Sequence, residues 1–260
     1  MKNLFNALVI VLSLLVAYLL FYLVLGNAGN FVDPLTKHEP KPGNMLGTIY
    51  TGGPLVGLLL GMLIISITFI IERVLSIGKA KGKANPAPFI KNVINHLTKG
   101  DMKGALGECD KQRGSVANVL RSAINRFEEI ENDTEFIAEK KITEVQRAID
   151  ESLNLETPLL EKNLVILSTV ASISTMVGLL GTTLGMIRAF QALALAGTVS
   201  ATQLSIGISE ALWNTAGGLA AAIISIVAYN YFTTKVDNFV YMIDEAILSV
   251  TQIFTVRIKK

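Results

Sequence analysis

One carboxylate lies inside a long apolar segment, where it could take part in ion chemistry. Glu210 stands within residues 204–232, which otherwise have the composition of a membrane-spanning helix. A charged side chain at the centre of a membrane costs about 2.5 to 3.5 kcal/mol, and it is tolerated mainly where it faces a bundle interior, a wet cavity or a partner charge. Asn214 lies one helical turn further on, and Thr215 follows it. These residues are therefore predicted to belong to an ion pathway.

Small and polar residues recur at steps of three and four along residues 164–194 and 204–232, so they occupy one face of each helix. Close helix packing explains the glycines and alanines, because small residues let membrane helices approach. The polar members indicate in addition a wet or partner-filled lumen, to which several subunits in a ring would contribute. The predicted lumen residues are Ser168, Thr175, Thr182, Glu210, Asn214 and Thr215, and the predicted packing residues are Gly178, Gly181, Gly185, Gly217 and Gly218.

Arg188 is a second charge at membrane depth. It lies near the end of residues 164–194, and Glu210 lies near the start of residues 204–232. The two charges are therefore expected at similar depth, where an ion pair within or between subunits would lower the energy of both. The alternative is that Arg188 extends to the lipid head groups without pairing.

The composition excludes several classes of protein. The chain has 260 residues, of which 51% are hydrophobic and 17% charged, and its mean hydropathy is +0.49. These values are typical of an integral membrane protein. A net charge of +2 without a concentrated basic face argues against nucleic-acid binding. The single cysteine, Cys109, and two isolated histidines, His38 and His96, predict no disulfide framework, no metal site and no cofactor.

Four stretches are long and apolar enough to cross a bilayer, which takes about 20 residues: 4–25, 54–71, 164–194 and 204–232. The first is expected to be an uncleaved anchor, because its apolar run exceeds that of a signal peptide, which is the alternative. Lysines flank the spans at Lys2 and at Lys79, Lys81 and Lys83. The positive-inside rule then places both termini in the cytoplasm and the link 26–53 outside.

The polar remainder is expected to form helices in the cytoplasm. Residues 78–157 carry apolar residues at helical spacing, with a break at Asn132 and Asp133. Pro158 is predicted to start the next helix, because proline is favoured at the first helical position. The tail is expected to continue the fourth span and to pack on these helices, with binding at the membrane surface as the alternative. The predicted organisation is an anchor or signal peptide at 1–28, a periplasmic linker at 29–53, a span at 54–77, a cytoplasmic helical region at 78–157, a channel core at 158–232 and a C-terminal helix at 233–260.

Two motifs carry a resemblance to a known family. They are GLLGTTLGMIRAF at 178–190 and ISEALWNTAGGL at 208–219, the second continuing through AYNYF at 228–232. From about residue 52 to the C-terminus the chain resembles the MotA/TolQ/ExbB proton-channel family. The resemblance implies an all-α membrane protein that forms a ring, commonly a pentamer, around a dimer of a single-span partner of ExbD, TolR or MotB type. It also implies that the intramembrane aspartate of the partner carries the ion.

The family pattern matches Thr182, Glu210 and Thr215 to polar pore residues, while two features depart from it. ExbB and TolQ commonly have three spans, whereas the fourth predicted here is a MotA-like number. Trp213 and Asn214 replace the smaller or aliphatic residues usual before the threonine. Because the resemblance puts the ion carrier on the partner, Glu210 is expected to act as a fixed electrostatic or gating group at the outer mouth of the lumen.

The expected function is that of the ring-forming subunit of a proton-driven inner-membrane motor. An ExbB-like role would energise outer-membrane transport, with a TonB-like protein as a further partner. The alternatives are a TolQ-like envelope role, a gliding or secretion motor, a passive scaffold and a solute transporter, although no internal repeat or broken midplane helix of the transporter kind is visible. An enzyme is not expected, because no nucleophile, phosphate loop or carboxylate pair is present. The proton is expected as the coupling ion, because the two stripes offer few polar oxygens, and sodium is the alternative.

Overall fold

The computed structural model describes residues 2–37, 39–131, 133, 137–195 and 201–258. Within these ranges the regular structure is helical, apart from an isolated bridge between Phe31 and Pro40. Four helices of the described residues are long and apolar enough to cross a membrane. The all-α fold with four candidate spans is therefore confirmed.

The candidate spans lie in four helices. They are α1 (Lys2–Leu20), which continues into a π-helical turn at Phe21–Leu25, α3 (Pro54–Lys81), α8 (Leu164–Leu195) and α9 (Ala201–Ile258). The short helix α2 (Met45–Tyr50) lies in the segment between α1 and α3. Residues 196–200, which connect α8 to α9, lie outside the described residues.

The predicted helix start at Pro158 is wrong. Helix α7 (Ala138–Glu161) contains Pro158 in its last turn, and α8 starts six residues later at Leu164. The break falls at Lys162 and Asn163, where Asn163 has φ +65°. Asparagine enters the left-handed region more readily than most residues. The turn at Asn163 therefore separates the two helices, while proline is accommodated near the end of the first.

Contacts divide the chain into two compact units. The span unit comprises Met1–Ile71 and Asn163–Asn230, and the helical unit comprises Glu72–Lys162 and Tyr231–Lys260. In the span unit, α1 and α3 pack closely at two glycines. A Cβ on Gly57 would lie 2.9 Å from the Tyr18 ring, and one on Gly61 would lie 2.6 Å from a Leu14 methyl group. Only glycine allows this separation of the helices.

The helical unit contains the end of α3, all of α4 (Pro86–Thr98), α5 (Met102–Gln112), α6 (Ser115–Glu131) and α7, and the end of α9. The Phe127 and Phe254 rings stack at 4.0 Å, and Arg257 pairs with Glu131. The tail therefore continues the fourth span and packs on α6, as predicted. The break between α6 and α7 lies where the sequence indicates, although Asn132 itself is outside the described residues. The predicted apolar stripe of α6 is buried: Val119, Ile124, Phe127 and Ile130.

Candidate functional site

Glycines bring α8 and α9 into backbone contact. A Cβ on Gly181 would lie 2.3 Å from the Asn214 Cβ, and one on Gly185 would lie 2.9 Å from the Ala211 nitrogen. On the other helix, a Cβ on Gly218 would lie 2.6 Å from the Ser174 carbonyl oxygen. Side chains at these positions would force the helices apart, so the glycines set the distance between α8 and α9.

The two remaining predicted packing glycines, Gly178 and Gly217, contact different helices. A Cβ on Gly178 would lie 3.3 Å from the Gly218 Cα, within the same α8–α9 seam. A Cβ on Gly217 would instead lie 3.4 Å from a Leu59 methyl group of α3. Gly217 therefore faces α3, whereas Gly178 belongs to the contact between α8 and α9.

Arg188 and Glu210 form an ion pair between α8 and α9. Arg188 Nη1 donates to Glu210 Oε1. The glutamate side chain is 12% exposed and the arginine side chain is 55% exposed. A nearly covered carboxylate is stabilised by a positive charge in contact with it. The pair lies at the end of the spans next to the 26–53 link, which we call the linker end.

Asn214 is fully buried, one turn after Glu210. Its Nδ2 donates to the Gly52 carbonyl at 2.8 Å and to the Glu210 carbonyl at 2.9 Å. Its Oδ1 is buried and accepts no hydrogen bond from the described residues. Asn214 therefore joins α9 to the turn that precedes α3.

The hydroxyl row of α8 lies beside the α8–α9 seam, on the same side of the helix as Gly178 and Gly185. Ser168, Thr175 and Thr182 are all partly exposed. Their hydroxyls donate to the carbonyls of Val165 at 3.0 Å, Ala171 at 3.2 Å and Leu179 at 2.6 Å, respectively. A hydroxyl that donates once keeps oxygen lone pairs as acceptors. This face can therefore accept hydrogen bonds from water or from a protonated group on another chain.

Within the single chain, much of the α9 stripe is covered. Asn214 and Ala221 are 0% exposed, and Glu210 is almost covered within the chain. The reason is the α8–α9 glycine seam, which turns much of the α9 stripe toward α8 and α3. Thr215 Oγ1 is also buried and has no hydrogen-bond partner among the described residues. The structure thus places Glu210 and Asn214 in a buried cluster and leaves Ser168, Thr175 and Thr182 partly exposed beside the α8–α9 seam.

A cleft of about 860 Å³ opens beside the ion pair. Its walls include Thr36 and Lys37 of the linker, Tyr50 of α2, and both Arg188 and Glu210. Lys37 Nζ donates to the Gly26 carbonyl at 2.7 Å and lies 5.7 Å from the centre of the Tyr50 ring. The linker therefore forms one wall of the space next to Glu210.

Two buried polar contacts were not expected from the sequence. Ser66 and Ser225 share a hydrogen bond of 2.6 Å between α3 and α9. In the helical unit, Arg73 is 1% exposed, pairs with Glu72 and donates to the Leu160 carbonyl at 3.1 Å. The sequence does offer a signal for the Arg73 contact, because Glu72 and Arg73 directly follow the apolar stretch 54–71. The sequence offers no signal for the Ser66 contact, since a lone serine in a membrane helix commonly bonds to its own backbone.

The described residues hold no cluster of three groups able to bind a metal.

Comparisons with known proteins show which family the chain belongs to. The profile of the MotA/TolQ/ExbB proton channel family matches residues 111–245, which is more than half of the chain. The chain is 42% identical over 91 residues to the Tol-Pal system protein TolQ of Haemophilus influenzae, which covers 35% of this chain and 40% of that protein. It is 42% identical over 87 residues to the biopolymer transport protein ExbB of Helicobacter pylori, covering 34% and 58% respectively.

A longer match extends beyond the channel motifs. The putative biopolymer transport protein ExbB homolog of Methanothermobacter thermautotrophicus is 26% identical over 208 residues, which is 80% of this chain and 68% of that protein. The TolQ and ExbB matches above span less than two thirds of the proteins concerned. On the profile match, which includes α8, Glu210 and the whole α8–α9 seam, the chain belongs to the MotA/TolQ/ExbB proton channel family.

Proposed function

We propose that the chain is the ring-forming subunit of a proton-driven inner-membrane motor of the ExbB type. Copies of the chain, five in the family's common arrangement, surround a single-span partner of the ExbD or TolR type. Protons that cross between them drive movement of the partner, which energises transport at the outer membrane. One proton moving through 100 mV releases about 2.3 kcal/mol, so useful work requires several protons.

The row of partly exposed hydroxyls along α8 is the observation that carries this proposal. Thr182, Thr175 and Ser168 offer acceptor oxygens along one side of a membrane helix. Hydroxyls can orient water or a protonated carboxyl group, but they do not hold the charge of a proton at neutral pH. A pathway lined in this way needs a titratable group from elsewhere. The partner's intramembrane aspartate supplies that group in the proposed complex.

The state of Glu210 supports the same division of labour. It is the one carboxylate within residues 54–71, 164–194 and 204–232, and it is already paired with Arg188. The contact with Arg188 holds the carboxylate in one position, which suits a fixed group at the mouth of the path better than a carrier that moves with the proton. Thr215, next to the buried Asn214, completes the proposed polar path.

The proposed arrangement in the membrane follows the flanking lysines. Residues 26–53 lie on the periplasmic side, and the helical unit and both termini lie in the cytoplasm. Apolar side chains of α8 that are exposed in the single chain, among them Leu179, Leu180, Ile187 and Phe190, face lipid or neighbouring copies in the ring. The proposal requires neither a metal nor an organic cofactor.

Reconstitution tests the proposal directly. The chain would be purified with a single-span, Asp-bearing partner of the ExbD or TolR type and placed in liposomes with an imposed membrane potential and a trapped pH dye. We expect proton flux with both proteins, and background flux with either protein alone or with the partner's intramembrane Asp changed to Asn. Equal flux from the chain alone would overturn the motor proposal, and partner-independent uptake of an organic solute would favour a transporter. Replacing sodium by an impermeant cation separates the two coupling ions, since proton coupling predicts no change.

A TolQ-like role in the envelope is the second candidate, favoured by the 42% identity to the TolQ of Haemophilus influenzae. Both roles use the same ion path and differ in what the partner's soluble domain engages. Deleting the gene separates them: lost uptake of large outer-membrane substrates supports the ExbB-like role, and envelope leakage with normal uptake supports the TolQ-like role.

A further inference from the structure

The turn before α3 covers the Glu210 carboxylate. Gly53 has φ +79°, a conformation that favours glycine. A Cβ at Gly53 would lie 2.7 Å from Glu210 Oε1 and 3.8 Å from Arg188 Nη1. The ion pair therefore lies against a backbone position where any side chain would displace it.

Asn214 holds this turn in place. Its amide bonds simultaneously to the Gly52 carbonyl in the turn and to the Glu210 carbonyl one helical turn earlier. Helix α8 also holds Asn214 in place, because Gly181 of that helix leaves just enough space for the Asn214 Cβ. The turn, the carboxylate and the amide thus form one buried contact between α9 and the start of α3.

We propose that Asn214 and Gly53 are positioning residues for Glu210: Asn214 ties the Gly52–Gly53 turn over the carboxylate, and Gly53 leaves the space in which Glu210 meets Arg188. The consequence is that the turn restricts access to Glu210 from the linker end. The importance of this restriction for proton flux rests on the proposed function. Water then reaches the pair chiefly through the cleft beside Arg188, Lys37 and Tyr50. Loosening the turn opens a second route.

Thiol labelling measures this access without proton flux. Cysteine replaces Glu210 in a Cys109→Ala background, and the protein is placed in nanodiscs with a membrane-impermeant sulfonate-bearing methanethiosulfonate. Adding Asn214→Leu removes the hydrogen bond to the Gly52 carbonyl of the turn. This change should speed labelling on the order of tenfold, the factor expected from one lost hydrogen bond. Ser66→Ala is the control, because it removes a different buried hydrogen bond of the same bundle. An unchanged rate with Asn214→Leu, or an equal increase with Ser66→Ala, would overturn the positioning role.

A pair of glycine variants tests Gly53 with Glu210 intact. Gly43 and Gly53 both have φ +79°, but nothing lies within 4 Å of a Cβ on Gly43. Alanine introduces the same backbone strain at both positions and collides with Glu210 only at Gly53. We expect Gly53→Ala to lower partner-dependent proton flux severalfold and Gly43→Ala to leave it near wild type. Equal flux from the two variants would refute the role of Gly53. If wild type gives no flux, the proposed function fails while the labelling result still decides the position of the turn.

Discussion

Arg188 donates to the carboxylate of Glu210 across the α8–α9 contact, with the arginine side chain half exposed and the glutamate side chain nearly covered. This asymmetry means that the two residues are not equivalent. Losing the arginine leaves a covered negative charge without its partner, whereas losing the glutamate releases an arginine that can extend to solvent. The pair also connects the two family motifs, because each contributes one of its members.

A double-mutant cycle tests the pair. We expect Arg188→Gln to lower the free energy of unfolding by about 1 to 3 kcal/mol, the range for leaving a buried polar group unsatisfied. Glu210→Gln should cost less, and adding it to Arg188→Gln should recover part of the loss. Denaturant unfolding in detergent provides the measurement. Additive losses in the double variant would show that the two side chains are not coupled.

Gly181 is predicted to be the least replaceable glycine of the α8–α9 seam. Gly181→Ala puts a methyl group 2.3 Å from the Asn214 Cβ, and overpacking of this kind costs about 1 to 3 kcal/mol. Gly107→Ala in α5 is the matched control, because nothing lies within 4 Å of a Cβ there. That variant should gain about 0.5 to 1 kcal/mol from helix propensity. Similar thermal midpoints for the two variants would contradict the observed separation of α8 and α9.

The stability of the helical unit is predicted to depend on pH through Asp101. Hydrogen bonds from the Gly104 N–H and from His96 lower the pKa of this carboxyl group. Because its folded-state pKa lies below the unfolded value, its contribution is fully present above about pH 4 and is lost as the pH falls through the folded value. Asp101→Asn keeps a capping oxygen for α5 without a titrating group.

The measurement is the difference in thermal midpoint between wild type and Asp101→Asn at a series of pH values. We expect wild type to be the more stable protein at pH 7 and its advantage to shrink toward about pH 3. A difference that stays constant over this range would mean that the Asp101 charge does not contribute.

The sequence predicted the helices and the small-residue faces, and it was less informative about which way each face points. Steps of three and four residues locate one side of α9, but they do not say whether Asn214 faces a lumen or another helix of its own chain. That depends on Gly181, whose missing side chain admits Asn214, and on Gly52, which supplies an acceptor from a distant segment. Contacts of this kind come from tertiary packing and leave no local pattern.

Pro158 shows the limit of a local rule. Proline is favoured at the first turn of a helix, which made Pro158 a reasonable start. The helix in fact ends three residues after Pro158, at Glu161, because the chain turns at Asn163 with positive φ. The Ser66–Ser225 contact likewise required two helices to be brought together before either serine had a partner.

The central claim is that the Thr182 face of α8 lines the proton path, and two adjacent threonines test it most directly. Thr182 and Thr183 each donate to the carbonyl three residues earlier, at 2.6 Å and 2.8 Å, but they point to different sides of the helix. Thr182→Val and Thr183→Val would each be reconstituted with the single-span partner and assayed for proton flux, after assembly is verified. The account predicts that Thr182→Val reduces flux to background while Thr183→Val stays near wild type. Full flux through assembled Thr182→Val would contradict it.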